Sequence, residues 1–265
     1  MKKLILIFVT VLMVSCTNDT PLTTATTPMK RVPALVVLNQ KKGIGLSEST
    51  FGVNQLNDLG VSWYYSWGLN TTVVSTKTFV PMCYSDNRVS SVYQTNTILG
   101  FNEPDNVNQS NMTVAQAISN WTTLVSKSTR VGSPSMAGNP LTTGSWLTSF
   151  MNYNPKPKVD FVCVHWYKGC DVAKFKSDMT AIITLYNKPI WVTEFAPQTT
   201  SSSQLQPTKY TQTQINTFLT QVMAWMNTNP MIEKYAYHDA KYGRCALFTS
   251  TGVLTPTGII YKNLN

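Results

Sequence analysis

From Lys42 onward, short apolar runs alternate with amphipathic stretches. Eight runs have the length and β-branched or aromatic content of strands: residues 43–47, 61–67, 78–83, 97–102, 130–133, 159–167, 189–195 and 234–238. The sixth run is almost wholly apolar after its first two residues, Val159 and Asp160. A strand covered on both faces, as in a parallel sheet, reads this way. Between the strands, Val114, Ala117, Ile118, Trp121, Leu124 and Val125 recur at helical spacing, as do Ile215, Phe218, Leu219, Val222, Trp225 and Met226. Each set makes one apolar stripe that packs against a sheet, so Trp121 and Trp225 read as core residues. Strands alternating with helices predict an α/β fold, a (β/α)8 TIM barrel. The connection after the second strand is too short for a full helix.

The ends of the chain read differently. Lys2 and Lys3 precede an unbroken hydrophobic or small run from Leu4 to Val14, too short to anchor across a bilayer. Residues 1–16 are therefore expected to be an export signal. Met13-Val14-Ser15-Cys16 resembles a bacterial lipobox, and two readings stay open: acylation of Cys16, or ordinary cleavage nearby. Residues 17–34, rich in Thr and Pro, have no apolar period and read as a flexible tether. Residues 35–265 are expected to form one catalytic domain, with 199–208 as a surface loop. The expected location is exported, either secreted or lipid-anchored at the cell envelope, with the lipid as the sole membrane contact. A monomer is expected.

Composition narrows the partners. Charged residues make up 12% of the chain, against about 25% in a typical domain. The net charge is +9. Its Lys and Arg are scattered and not interleaved with aromatics, which argues against nucleic acid. Beyond Cys16, Cys83 and Cys163 sit in apolar runs as small hydrophobes, while Cys170 and Cys245 fall in loops and form a candidate pair. His165 and His238 stand in no metal-ligand spacing, so no metal or other cofactor is expected.

Two predicted strand ends carry a carboxylate: Leu99-Gly100-Phe101-Asn102-Glu103-Pro104-Asp105 and Pro189-Ile190-Trp191-Val192-Thr193-Glu194-Phe195-Ala196. A parallel barrel brings its strand ends to one rim, and two carboxyls meeting there suit cleavage of a glycosidic bond. Glu103 and Glu194 are the candidate catalytic pair. Asn102 is placed to bind a sugar hydroxyl beside them, and Pro104 turns the chain out of the strand. Tyr65, Trp67, Trp166 and Tyr167 are the aromatics nearest the strand ends and the candidate sugar-stacking residues. His165, Tyr237 and His238 are expected at the same rim. Tyr167 is predicted to donate to Glu194 and hold it ionised.

These residues carry a resemblance. The chain resembles glycoside hydrolase family 128, the glycosyl hydrolase catalytic core proteins acting on β-1,3-glucans, from about Lys42 to Tyr261. Further segments carry it: Val61-Ser62-Trp63-Tyr64-Tyr65-Ser66-Trp67-Gly68, Phe79-Val80-Pro81-Met82, Val131-Gly132-Ser133-Pro134, His165-Trp166-Tyr167 and Leu254-Thr255-Pro256-Thr257-Gly258. It implies a barrel with the acid/base after strand four, Glu103, and the nucleophile after strand seven, Glu194. It also implies retention of configuration through a covalent intermediate, with the carboxyls roughly 5 Å apart. The expected function is a retaining β-1,3-glucan hydrolase. Two alternatives stand beside it: a non-catalytic β-glucan-binding barrel, and the same mechanism on another polysaccharide.

Overall fold

The computed structural model describes residues 39–197, 209–238 and 243–264. The predicted export signal, the tether and the 199–208 loop lie outside them. Among the described residues no helix is long and apolar enough to cross a membrane.

Eight strands run parallel: β1 (Lys42–Gly45), β2 (Trp63–Tyr65), β3 (Thr78–Phe79), β4 (Thr95–Ile98), β5 (Ser128–Val131), β6 (Val162–Trp166), β7 (Ile190–Phe195) and β8 (Ile232–His238). Six of them order as β3-β2-β1-β8-β7-β6, while β4 pairs with β5. Parallel bridges Met82–Leu99 and Gly132–Phe161 connect the two sheets at both edges. The architecture is the expected (β/α)8 barrel. Each predicted strand is present, with shifted ends. The fourth begins at Thr95 and continues past Ile98 only through single bridges at Leu99 and Asn102 before the backbone turns at Glu103.

The described helices are α1 (Val53–Leu59), α2 (Val114–Lys127), α3 (Trp146–Met151), α4 (Val172–Tyr186), α5 (Gln212–Thr228) and α6 (Pro256–Asn263). No helix stands between β2 and β3, and a short 3-10 turn, Asp86–Ser91, takes the place of one after β3. Local sequence sets the starts. Thr113 and Thr211 cap α2 and α5 by accepting from Gln116 N and Gln214 N, and each Gln side chain reaches back to the cap.

Strand alternation divides the apolar residues into two cores. Inside the barrel lie Trp63, Tyr65, Val80, Met82, Leu99, Phe161, Cys163 and Trp191. Phe161 stacks on Trp191 at 4.2 Å, and Trp63 meets Trp191 at 5.2 Å, filling the interior beneath the rim. β1 makes room for these rings with glycine. A Cβ on Gly43 would lie 2.4 Å from the Trp63 indole, and one on Gly45 3.0 Å from the Tyr65 hydroxyl. The outer core joins strands to helices and contains Trp121, which packs on Phe101 and Phe150; Trp225 packs at its margin against Phe175.

Lys42 is fully buried where β1 meets the end of α6. Its Nζ donates to the carbonyls of Lys262 and Leu264 and lies over the Tyr261 ring. Burial pulls its pKa down to about 8. The four described cysteines, Cys83, Cys163, Cys170 and Cys245, are free. Cys170 and Cys245 are therefore unbridged, contrary to the pairing suggested by their loop positions.

Candidate active site

Glu194 reaches the barrel interior through an irregularity in β7. Register shifts between Val192 and Phe195, so Trp191 and Glu194 both point inward although three residues apart. The carboxylate then meets three aromatic donors. Tyr167 Oη donates to Oε2 at 2.6 Å, and Trp67 Nε1 and Tyr65 Oη donate to Oε1 at 2.7 and 3.3 Å. The residue is 5% exposed. Burial pushes its pKa up, but the charges of His165 and His238 and the bonds from Tyr167 and Trp67 outweigh that cost. The carboxyl is held below the ordinary carboxylate value.

Glu103 is set by a turn. Its φ is +44°, a left-handed conformation uncommon for a residue with a Cβ. The turn is fixed on both sides: Glu103 N donates to Ser135 O at 2.7 Å, and Asn106 N returns to Glu103 O at 3.0 Å. Asp105 locks the next loop by accepting from the amides of Ala137 and Gly138. Trp67, φ +55°, is strained in the same way. Such backbones cost about 1–3 kcal/mol each and gather at functional sites.

His165 lies between the two carboxylates. Nδ1 is 2.9 Å from Glu103 Oε1, and Nε2 is 3.4 Å from Glu194 Oε1 without hydrogen-bond alignment. Burial opposes its charged form, yet Glu194 and Glu103 prevail and raise its pKa. One ligand-type atom from each of the three residues lies within 4.8 Å of the others. Among the described residues, the buried side-chain polar atoms without a partner are Asn102 Oδ1, Ser110 Oγ and His165 Nε2, all near this rim. An orphaned polar group costs about 1–3 kcal/mol, and a bound hydroxyl-rich ligand removes that cost.

A pocket of about 280 Å³ opens above, lined by Ser47, Trp67, Tyr84, Asn102, Glu103, Gln109, Glu194 and His238. The structure thus brings together Glu103, Glu194, Asn102, Trp67, His165 and Tyr167. Three expected sugar contacts need correction. Trp166 points outward, stacked on Phe218 with its Nε1 donating to Asp178, because neighbours on a strand face opposite ways. Tyr237 also lies in the outer core, donating to Cys245 O, while His238, next along β8, faces the rim as expected. Tyr65 is buried beneath Glu194, so it positions the carboxylate and does not meet ligand. Sequence reading missed Tyr84, Gln109 and Ser47 as lining residues. Tyr84, one position past an apolar strand, and Ser47, the last residue of the first predicted strand, carried a signal; Gln109 carried none.

The glycosyl hydrolase catalytic core family matches residues 45–261. A solved relative is the GH128 subgroup I endo-β-1,3-glucanase of Amycolatopsis mediterranei in complex with laminarihexaose. It is 29% identical, with TM-score 0.72 over 85% of this chain and all of that one. A GH128 subgroup VII oligosaccharide-binding protein from Cryptococcus neoformans is 25% identical, with TM-score 0.69 over 85% of this chain and 93% of its own. Alkali-sensitive linkage protein 1 of Schizosaccharomyces pombe is 28% identical over 218 residues. That match takes in 76% of this chain and 40% of the fission-yeast protein.

Proposed function

This chain belongs to the glycosyl hydrolase catalytic core family and is a glycoside hydrolase, and from that premise we propose that it cleaves β-1,3-glucan by double displacement. The observation that carries the reading is the approach of Glu103 and Glu194, with carboxylate oxygens within 4.8 Å. Retaining glycosidases hold their carboxyls at about 5–5.5 Å, whereas inverting ones leave room for a water. Glu194, held ionised, attacks the anomeric carbon. The glycosidic C–O bond breaks, and the leaving oxygen takes the carboxyl proton of Glu103. Glu103, now a carboxylate, removes a proton from water. That water attacks the glycosyl ester, releasing Glu194 and a sugar of retained configuration. Asn102 Oδ1, buried and unpartnered, accepts from a hydroxyl of the sugar at the reaction centre. The substrate class is supported by the endo-β-1,3-glucanase relative and its laminarihexaose complex.

The test is chromatography of products from linear β-1,3-glucan, β-1,4-glucan and mannan, with both Gln variants alongside. Glu103→Gln is expected to lower turnover by about 10²–10⁴-fold, and Glu194→Gln to abolish the covalent step. Oligosaccharides from β-1,3-glucan alone support the reading; wild-type rates in either variant refute that residue's role. A non-catalytic glucan-binding barrel is the second reading, favoured by the similarity to an oligosaccharide-binding protein. It predicts binding without products. The leader composition, with Lys2 and Lys3 before the Leu4–Val14 run, supports export, and Cys16 is the proposed lipid attachment point.

A further inference from the structure

The cations scattered along the sequence are gathered by the fold. The strands run parallel, so their first residues share the end of the barrel opposite the catalytic rim. Lys77 and Lys127 immediately precede β3 and β5, Lys188 stands just before β7, and Lys156 lies in the loop leading to β6. Lys262 joins them, because its carbonyl accepts from Lys42 at the start of β1. None of these lysines makes an ion pair with a described residue. Of the acids at this end, Asp160 and Glu233 already face Lys158 and Arg130, which leaves Asp58 in the last turn of α1. The rim carries Glu48, Asp86, Glu103, Asp105, Asp171 and Glu194 beside a similar number of cations. The surplus of positive charge therefore lies at the strand starts.

Two further features fit the surface of a bilayer. An apolar pocket of about 260 Å³ opens at this end between α2 and residues 155–158. Ile118, Trp121, Val125, Pro155 and Pro157 line it, with Lys156 and Lys158 beside them. Apolar walls next to ammonium groups suit an acyl chain beneath an anionic headgroup. The described chain also enters the barrel here, where Asn39 donates to Asn227 and Tyr235. Cys16, the proposed lipid attachment point, lies upstream of that entry.

We propose that this end of the barrel docks on the anionic surface of a bilayer, with the cleft facing away from it. The free lysines stand at the starts of different strands around the barrel end. A plane meets such a ring of charges together, whereas a narrow polymer reaches few of them at once. The strands then run from membrane to rim and leave Glu103 and Glu194 open to a polymer on the far side. This adds a contact to the lipid proposed at Cys16 and is independent of the reaction catalysed.

The test is sedimentation of the full-length chain with vesicles of phosphatidylcholine, alone or mixed with phosphatidylglycerol. All proteins carry Cys16→Ser, so that no lipid contributes. The partition ratio between the two vesicles isolates headgroup charge, because adsorption of the Leu4–Val14 run is common to both. The unaltered barrel is expected to favour the anionic vesicles. Lys127→Glu/Lys156→Glu should lower the ratio by about thirtyfold, at about fivefold for each cation lost. Arg88→Glu/Lys209→Glu makes the same change in net charge at the rim. It should leave the ratio nearly unchanged, because the rim lies beyond a Debye length of about 10 Å from the docked surface. Lys188→Gln/Lys262→Gln removes two other cations of the same end and should repeat the loss, which keeps the test decisive if the first variant fails to fold. A starting ratio of one, or equal loss in the rim variant, overturns the proposal. Tighter binding of a single-stranded oligonucleotide, lost in the same lysine variants, assigns the face to nucleic acid and overturns it too.

Discussion

At the residue scale the site depends on how one carboxylate is surrounded. Glu194 is buried, yet the charges of two histidines and the bonds from Tyr167 and Trp67 keep its pKa below the ordinary value. A carboxylate with a depressed pKa loses its function as pH falls through that lowered value. The acid limb of kcat/KM is therefore expected below the usual Glu value of about 4.3. Tyr167→Phe removes the shortest of the bonds to Glu194 and should raise that limb by about one to two pH units, since a hydrogen bond to a charged group contributes about 1.5–3 kcal/mol. A pH–rate profile reads the shift; an unmoved limb would sink the claim that Tyr167 sets the charge of Glu194. The pairing of Tyr167 with Glu194 was legible in the sequence, because His165-Trp166-Tyr167 ends a buried strand. Its neighbour Trp166 was not. Placing it required knowing which residues of β6 face inward, and alternation alone fixes the period but not the phase.

At the element scale, the strands succeed where their side chains fit one another. The glycines of β1 leave space for Trp63 and Tyr65 of β2, and Tyr65 in turn supports Glu194. The end of α6 is fastened to β1 by Lys42. Its folded pKa of about 8 lies below an unfolded value of about 10.4. Between those values the unfolded chain holds a proton that the folded chain has released, so stability rises with pH across the window. The gain is about 1.4 kcal/mol per pH unit, roughly 3 kcal/mol in all. Urea unfolding from pH 7.5 to 10 should show that rise in wild type and lose it in Lys42→Met. Equal slopes would mean that Lys42 is not the group responsible. The existence and order of the elements could be read from apolar periodicity. Their ends could not, because Glu103 leaves its strand through a left-handed turn held in part by Ser135, which lies far from it in the sequence.

At the scale of the whole molecule, the chain has few charged residues, and Lys2 and Lys3 stand before the hydrophobic run from Leu4 to Val14. If Cys16 carries a lipid, Cys16→Ser should move the protein from the membrane fraction to the soluble one, with loss of incorporated labelled fatty acid. Label retained in the variant would refute Cys16 as the attachment point. Catalysis on soluble glucan should be unaffected, because the Glu103–His165–Glu194 group is assembled from β6, β7 and the turn that follows β4.

The sequence by itself determined the parallel barrel, through eight apolar runs of strand length separated by helical stripes. It also determined the two glutamates, because each closes such a run and a barrel gathers strand ends at one rim. The tertiary structure alone decided which neighbours of those glutamates share the cleft. His238 faces the rim and Tyr237 does not, Tyr65 lies beneath the carboxylate, and Tyr84 and Gln109 arrive from other loops. The reason is physical. Burial and periodicity are written locally along the chain, whereas the phase of a strand, a register shift in β7 and the meeting of loops are settled by packing between segments far apart in sequence.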